Sequence, residues 1–344
     1  MKAVQVLKHG RPAEAVGIAD VAVPEAGPGE VRVAVSAASL NFGDIARARG
    51  GVAMAMFQPP FTLGMDVCGV VEAAGAGGEA WLGRRVVGMT RMACGGIAEQ
   101  AIVPLPSLFE APPELDAGEA TAFLLPFHVS YLGLHIRAKL KPGETVLVTA
   151  AASGVGTAAV QIAAAAGAQV IALAGGSEKG RLCTELGAAA AIDTQQDKLF
   201  DRVMELTDNR GVDVAFDLVG GDLTETLWTC MALEGRYLPV GFNGDAQGGF
   251  TGRPLRKVSM ANFSVLGVML AYGLPYAPMR RMGLNFYPPE IGRQVHAALC
   301  ALVASGKIRP AIGRRIRMDE VAAALEDHQA RRTSGRTIVD VAGS

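Results

Sequence analysis

The stretch VLVTAAASGVGTAAVQIA, residues 146–163, has residue types and spacing that could bind phosphate. It reads as a strand, a run of small residues and then a helix, with Gly154 and Gly156 at the junction. A dinucleotide pyrophosphate needs small residues because the backbone must approach it closely, and it needs the free N–H groups of a helix start. The full G-x-G-x-x-G fingerprint is absent, since Ser153 and Ala151 stand at the other glycine positions. A tight packing turn between strand and helix therefore stays the alternative to a phosphate site.

The next predicted strand indicates which dinucleotide this turn would bind. NAD-specific sites usually place Asp or Glu about 20 residues further on, where it binds the ribose 2′-hydroxyl. Here ALAGGSEKGR, residues 172–181, has no acid at that point and supplies Lys179 and Arg181 just after it. The missing carboxylate and the nearby cations favour NADPH, although an ordinary solvated helix face is the alternative for both cations. The predicted cofactor contacts up to this point are Ser153, Gly154, Val155, Gly156, Gly176, Ser177 and Lys179.

The elements that must position these candidates change character along the chain. Residues 1–110 read as short strands separated by glycine and proline turns, and Val31, Val33 and Val35 alternate onto one face. This first part is therefore predicted to be all-β. The segments after the loop 272–289 include an amphipathic helix and the strand RTIVDV, and we interpret them as a return to the first domain.

From about residue 117, predicted strands alternate with predicted helices of about ten residues. The series includes the strand TVLVTA (145–150), a helix over 223–232 and a last strand over 263–270. Such alternation predicts a parallel sheet joined by right-handed crossovers. The chain is therefore predicted to be an α/β protein.

Composition limits the compartment and the partners. The 344 residues predict two domains, and a formal net charge of −1 favours neither nucleic acid nor an anionic membrane surface as a partner. Five widely spaced cysteines and the lack of a signal-peptide pattern at the start of the sequence favour a cytoplasmic protein. No charged residue occurs between Glu144 and Glu178, but glycines and polar residues interrupt that run. We interpret it as a buried strand-turn-helix unit and not as a membrane span.

Three further stretches carry a resemblance to a known family. They are ASLNFGDIARARGG (38–51), PPFTLGMDVCGVVEAAG (59–75) and GVDVAFDLVGGDLTETLWTCMALEGRYLPVGF (211–242). Together with the glycine turn they resemble the medium-chain dehydrogenase/reductase superfamily, and more narrowly its zinc-free quinone oxidoreductase branch, to which zeta-crystallin belongs. The resemblance implies a GroES-like β domain and a Rossmann domain with a doubly wound parallel sheet. It assigns residues 1–122 and 269–344 to the first and 123–268 to the second, and it implies a homodimer through strand 263–270.

The same resemblance bears on metal binding. Zinc-containing members hold their catalytic metal with a cysteine in C-H-x-D and a histidine in G-H-E, whereas this chain has Asn41 and Met65 at those positions. A structural zinc lobe would need four clustered cysteines, and residues 80–110 contain only Cys94. We therefore expect no metal site. The expected chemistry is hydride transfer to an acceptor that is already electrophilic.

The resemblance also implies roles for individual residues. Asn41 would lie near the nicotinamide ribose and the substrate, with loop capping as its alternative role. Gly241 and Phe242 would hold the nicotinamide carboxamide, although Gly241 could be an ordinary turn glycine. The remaining implied cofactor contacts are Val219 and Gly220, which would line the path from ribose to nicotinamide, and Arg336, for which a plain surface charge is the alternative.

The expected function is NADPH-dependent reduction of a quinone by a zinc-free enzyme. Reduction of a C=C bond conjugated to a carbonyl, in an enone or an enoyl thioester, is the close alternative, and a non-enzymatic NADPH-binding protein is the alternative from another class. Many enoyl reductases of this superfamily carry a tyrosine where this chain has Val52. His128 is a speculative proton donor whose alternative is a packed core histidine. The loop 272–289, with Tyr272, Tyr276 and Phe286, could form a pocket for a flat acceptor, a dimer surface or a second core.

Overall fold

The computed structural model describes residues 1–50, 57–242, 255–274 and 277–342. The chain divides into two compact units. One comprises Met1–Leu125, Ala271–Ala304 and Arg309–Ser344, and the other comprises Pro126–Leu270 and Ser305–Ile308. Each unit has its own sheets and its own hydrophobic core. The domain boundaries predicted at residues 122 and 268 stay predictions.

Strands and helices alternate after residue 117 as the sequence pattern predicts, whereas the described part of residues 1–110, a segment predicted to be all-β, also contains two α-helices. The strands are β1 (Lys2–Val6), β2 (Val16–Asp20), β3 (Glu30–Ser39), β4 (Phe61–Thr62), β5 (Asp66–Ala74), β6 (Arg85–Met89), β7 (Gln100–Pro104), β8 (Leu108–Glu110), β9 (Thr145–Val148), β10 (Gln169–Ala174), β11 (Ala190–Asp193), β12 (Val212–Asp217), β13 (Met231–Pro239), β14 (Ser264–Val265), β15 (Ile312–Ile316) and β16 (Arg336–Asp340). The helices are α1 (Pro12–Ala15), α2 (Phe42–Arg49), α3 (Ala117–Tyr131), α4 (Gly154–Ala165), α5 (Ser177–Glu185), α6 (Leu199–Leu206), α7 (Leu223–Thr229), α8 (Arg256–Ala261), α9 (Ala277–Arg281), α10 (Pro289–Ala304) and α11 (Val321–Gln329). A π-helical turn, Leu132–Arg137, follows α3.

The first unit is built around β3. This strand pairs antiparallel with β5, β7 and β16 in a sheet of order β15-β16-β3-β5-β6-β8, and β2-β1-β4 forms a second, smaller sheet. Val31, Val33 and Val35 of β3 are each at most 5% exposed, which confirms the predicted alternation. Because β16 lies beside the end of β3, with Ile338 opposite Ser39, the first residues of β16 lie close to the loop that follows β3.

The second unit contains the predicted parallel sheet. Its strand order is β11-β10-β9-β12-β13-β14, and every neighbouring pair is parallel. All four residues of β9 are buried, as is typical of strands covered on both faces. The order reverses between β9 and β12, and open sheets of this kind bind ligands outside the carboxyl ends of the strands at such a reversal. The doubly wound architecture is thus confirmed.

The uncharged run between Glu144 and Glu178 forms β9, α4 and β10, which confirms a buried strand-turn-helix unit. Gly156 lies in the first turn of α4, where an added Cβ would lie 2.3 Å from the carbonyl oxygen of Ala150. This glycine is therefore required for the close packing of the helix on the strand before it. Across the described ranges, no helix combines the length and the apolar character needed to cross a bilayer.

Two predicted element ends are wrong. The helix predicted over 223–232 ends at Thr229, because Met231 already pairs with Val212 in the ladder between β13 and β12. The strand predicted over 263–270 is limited to Ser264–Val265. Among the described strands, only β13 pairs with β14. The last hydrogen bond between them runs from the N–H of Leu266 to the carbonyl oxygen of Tyr237. Beyond Leu266 no described strand continues the ladder.

Candidate functional site

A buried carboxylate connects the two central strands of the second unit. Asp217 ends β12, and Thr149 follows β9; both are fully buried. The Thr149 hydroxyl donates to Asp217 Oδ1 over 2.8 Å and accepts from the N–H of Leu218 over 2.7 Å. These two side chains therefore join β9 and β12 at their carboxyl ends, at the reversal of the strand order.

Asp217 also organises the loops that follow β12 and β13. Its carboxylate accepts from the N–H groups of Val219 and Gly220 at 2.9 and 3.1 Å and from the Tyr237 hydroxyl at 2.6 Å. Its main-chain oxygen accepts from the N–H groups of Val240 and Gly241. Hydrogen bonds to an ionised acceptor are about twice as strong as neutral ones, so this carboxylate holds both loops in place.

The two loops approach each other closely. An added Cβ at Gly241 would lie 2.3 Å from the carbonyl oxygen of Leu218, so a side chain here would separate the loops. Gly220 adopts a φ of +66°, a conformation that favours glycine. The predicted contacts Val219, Gly220, Gly241 and Phe242 are thus brought together. The sequence analysis missed Asp217, although an acid between an apolar strand and the pair Gly220–Gly221 was a usable signal.

The glycine turn after β9 combines packing and binding features. Ser153 is the N-cap of α4, and its hydroxyl accepts from the N–H of Gly156 over 3.2 Å. The first N–H groups of a helix have no intrahelical partner, which leaves those of Gly154 and Val155 suited to an anion. Packing by Gly156 and anion binding by the residues before it are therefore compatible, and this turn fits a dinucleotide pyrophosphate.

At the end of β10, an unpredicted acid lies beside the predicted cofactor contacts. Gly176 has a φ of +88°, and its N–H donates to Asp193 Oδ1 over 2.9 Å. Hydrogen bonds from the backbone of Gly176 and Gln195 lower the pKa of Asp193, so this acid is ionised at neutral pH. Lys179 is half-buried in the helix that Gly176 caps, whereas Arg181 is exposed and lies 3.7 Å from Glu185. Asp193 thus binds the backbone of Gly176, the N-cap of the helix that carries Lys179.

In the first unit, a buried ion pair holds Asn41. Arg336 Nη2 lies 3.1 Å from Asp66 Oδ2 and 2.7 Å from both Asn41 Oδ1 and the Ser39 hydroxyl. Asn41 Nδ2 donates to Asp66 Oδ1 over 3.0 Å and to the carbonyl oxygen of Ser39 over 3.3 Å. All four residues are at least 94% buried, so Arg336 is not a plain surface charge. Asn41 is also the N-cap of α2, so its alternative role in capping is present beside these contacts.

Asp44, three residues after the N-cap Asn41, completes a capping box at the N-terminus of α2. Its carboxylate accepts from the N–H groups of Asn41 and Gly64 at 2.8 and 3.3 Å. Burial raises the pKa of Asp44 to about 6, and the nearby guanidinium of Arg47 opposes that rise. Asp44 thereby fixes the backbone of Asn41 while the ion pair of Asp66 and Arg336 fixes its amide.

His128 and Tyr272, two further sequence candidates, are buried. His128 is fully buried on α3, and its role as a proton donor stays a prediction. Tyr272 is 7% exposed and makes an edge contact with Phe109, so this tyrosine of the 272–289 loop is packed. Val52 and Tyr276 lie outside the described residues. Over the part of the chain that the structure describes, no group of His, Cys, Asp and Glu side chains is arranged to hold a metal ion.

Comparison with known proteins identifies the family. Residues 27–113 match the alcohol dehydrogenase GroES-like domain, and residues 154–282 match the zinc-binding dehydrogenase domain. A quinone oxidoreductase of Pseudomonas aeruginosa is 34% identical over 339 residues, which are 98% of this chain and 99% of the relative. The chain belongs to the medium-chain dehydrogenase/reductase superfamily. Within it, the relatives place the chain in the quinone oxidoreductase branch, and the predicted fold of a GroES-like and a Rossmann domain is confirmed.

Two further proteins support this membership. The quinone oxidoreductase-like protein 2 homologue of Nematostella vectensis is 33% identical over 319 residues, which cover 91% of this chain and 82% of the relative. A mycobacterial protein solved as a complex with NADPH superposes with a TM-score of 0.83 at 27% identity, over 99% of this chain and all of that one. The similarity of this oxidoreductase to its family therefore extends over nearly its whole length.

We predict that Asp217 is the most sensitive polar residue of the second unit. Asp217→Asn replaces one carboxylate oxygen, which accepts hydrogen bonds, by an NH2 group, which donates them. The new donor would face the four donors that now bind the carboxylate, which should lower the free energy of unfolding by about 2–4 kcal/mol. Tyr237→Phe removes one of those donors and should cost about 1–2 kcal/mol. Urea unfolding followed by circular dichroism measures both. The exposed neighbour Asp222, changed to Asn, is the control and should stay within about 0.5 kcal/mol of the parent; equal losses at Asp217 and Asp222 would contradict the prediction.

Proposed function

We propose that this oxidoreductase transfers hydride from NADPH to a quinone without a catalytic metal. The observation that carries the proposal is the Asp217 cluster, which joins the loops after β12 and β13 beside the glycine turn. That arrangement offers main-chain groups at the strand reversal, where dinucleotides bind in sheets of this order. The names of the relatives support a quinone as acceptor, and the NADPH complex of a structural neighbour supports the cofactor.

Each residue cluster has a part in this proposal. NADPH, when bound, supplies the hydride. The N–H groups of Gly154 and Val155 hold the pyrophosphate, and Lys179 faces the 2′-phosphate with Gly176 and Ser177. The loops with Val219, Gly220, Gly241 and Phe242 hold the nicotinamide side. The zinc-free character is supported by Asn41 and Met65, which offer neither thiolate nor imidazole.

The hydrogen bonds of Asn41 limit what its amide can contact. Both N–H bonds of Nδ2 are used by Ser39 and Asp66, and one lone pair of Oδ1 is used by Arg336. An amide oxygen has two lone pairs, so one acceptor position is left. Asn41 is thus suited to accept from a ribose hydroxyl of the cofactor. It is not suited to donate to a quinone oxygen, which is itself an acceptor.

We also propose a homodimer formed through residues 263–270. After β14 the side chains alternate, with Leu266, Val268 and Leu270 half-buried and Gly267 and Met269 exposed. An apolar segment that continues from an edge strand can pair with the same segment of another chain. Sedimentation equilibrium at micromolar concentration should therefore give twice the chain mass. A monomer mass over that range would refute this assembly.

The acceptor is tested by following the loss of NADPH absorbance with a simple quinone and with an enoyl thioester, side by side. We expect turnover of the quinone, and faster turnover with NADPH than with NADH. Turnover of the thioester alone would make the protein a reductase of activated C=C bonds. Tight NADPH binding without turnover of either acceptor would make it a nucleotide-binding protein.

Lys179→Ala tests the preference for NADPH. Loss of a charge-assisted contact to the 2′-phosphate should raise the Kd of NADPH about tenfold or more and leave that of NADH within about twofold. Fluorescence titration of both nucleotides measures this difference. Arg181→Ala, on the same helix, is the matched control and should change neither Kd. Equal losses for the two nucleotides would remove Lys179 from the 2′-phosphate site.

A further inference from the structure

Reduction of a conjugated acceptor leaves negative charge on an oxygen. When hydride adds to an enone carbon or to a quinone, the C–H bond of the dihydronicotinamide breaks, its electron pair forms the new bond, and a pair from the acceptor's π system moves to an oxygen. The cofactor is oxidised, the acceptor is reduced by two electrons, and water supplies the proton that neutralises the oxygen. Hydrogen-bond donors aimed at that oxygen stabilise the developing charge most strongly in a site that excludes water. Asn41 has no N–H bond left for this task.

One buried cation near Asn41 has donors without acceptors. Arg47 lies on α2 with only 9% of its surface exposed, and its Nε and Nη1 have no hydrogen-bond partner among the described residues. The nearest acid is Asp44, whose Oδ1 is 3.8 Å from Nη1, beyond hydrogen-bond distance. The oxygens of Asp44 already accept from the N–H groups of Asn41 and Gly64.

Gly43, Met65 and Phe57 also lie close to the Arg47 guanidinium. A Cβ added at Gly43 would lie 3.0 Å from Arg47 Nη1 and 3.4 Å from Met65 Sδ, so the glycine leaves room for the guanidinium. The guanidinium of Arg47 lies over the ring of Phe57, whose centroid is 5.0 Å from Arg47 Cζ. A planar cation among a ring face, a thioether and a glycine suits a flat conjugated molecule.

The unmet donors point to a ligand. Buried polar groups in folded proteins nearly always have partners, and leaving one without a partner is unfavourable, more so for a charged group. Arg47 is held by a ring contact and a long ion pair, and no hydrogen bond to a described residue fixes its orientation. Rotation about its terminal side-chain torsions can therefore bring a donor to a bound oxygen at low cost.

We propose that Arg47 donates a hydrogen bond to the carbonyl oxygen of a planar conjugated acceptor and stabilises the negative charge that develops there. This inference rests on the proposed function, because it assumes that hydride is transferred beside Asn41. It makes Arg47 a substrate-binding residue and defines the substrate class as flat acceptors whose reduction produces a phenolate or an enolate. Arg47 keeps its own proton throughout, since a guanidinium is not deprotonated in proteins.

The test compares three variants with the parent protein. Arg47→Met removes the charge at similar length, Arg47→Lys keeps the charge without the planar group, and Arg49→Met changes the exposed arginine of the same helix. Quinone reduction gives kcat and KM, and fluorescence titration gives the Kd of NADPH. Independently of turnover, 4-nitrophenol is titrated with and without protein, because its spectrum distinguishes phenol from phenolate. Circular dichroism shows which variants are folded.

We expect Arg47→Met to lower kcat/KM for the quinone about 100-fold or more, with the Kd of NADPH changed less than about twofold. The parent should bind nitrophenolate about tenfold more tightly than nitrophenol, Arg47→Met should lose that preference, and Arg49→Met should match the parent in every measurement. Turnover by Arg47→Met at the parental rate would overturn the proposal, as would equal losses of NADPH affinity and turnover. If Arg47→Met does not fold, the test relies on Arg47→Lys. Parental turnover by Arg47→Lys would then contradict the assignment of the planar guanidinium as the required donor.

Failure of the proposed function and failure of the Arg47 assignment would give different results. If the parent protein reduces neither a quinone nor an enoyl thioester, the proposed function fails while the nitrophenolate titration still decides the role of Arg47. If the parent reduces a quinone and Arg47→Met does so equally well, the proposed function stands and the assignment of Arg47 fails.

Discussion

A carboxylate buried away from water must be surrounded by donors, and in the second unit this requirement is met at Asp217. Its partners come from the residue after β9, from the loop after β12 and from β13, so the charge can be satisfied only if those segments meet. The geometry at the strand reversal is therefore fixed by one acid. Binding residues on loops gain their precision from such support, because loops themselves have few other constraints.

In the first unit, buried charge also fixes the position of its neighbours, but there the charge is an ion pair. Asp66 and Arg336 are buried together, and Ser39 and Asn41 complete their hydrogen bonds. A buried ion pair contributes little net stability, but removal of one partner is strongly unfavourable, so the pair fixes the position of whatever it contacts. Here it fixes Asn41. Arg47, on the next helical turn after Gly43, has no such support from the described residues. Asn41 is therefore held in one orientation, whereas Arg47 keeps donors for a ligand.

Much of the fold follows from local patterns in the sequence. Buried parallel strands such as β9 are short apolar runs, and the alternation with helices identifies the doubly wound sheet. The glycine turn is also local, because Ser153, Gly154 and Gly156 are neighbours in the chain. The two polar clusters are not local: Thr149 and Asp217 are 68 residues apart, and Asp66 and Arg336 are 270 residues apart. Hydrogen bonds over such separations have no periodicity to reveal them. The short β14 could not be foreseen either, since its length depends on a neighbour and not on its own residues.

The ion pair around Asn41 has a consequence for metal binding at this position. Replacement of Asn41 by cysteine and of Met65 by histidine would supply two ligand types, but it would also take an acceptor from Arg336 and a donor from Asp66. The buried charges would then be short of partners before any metal arrived. A metal site at these two positions would therefore also need new hydrogen-bond partners for Asp66 and Arg336.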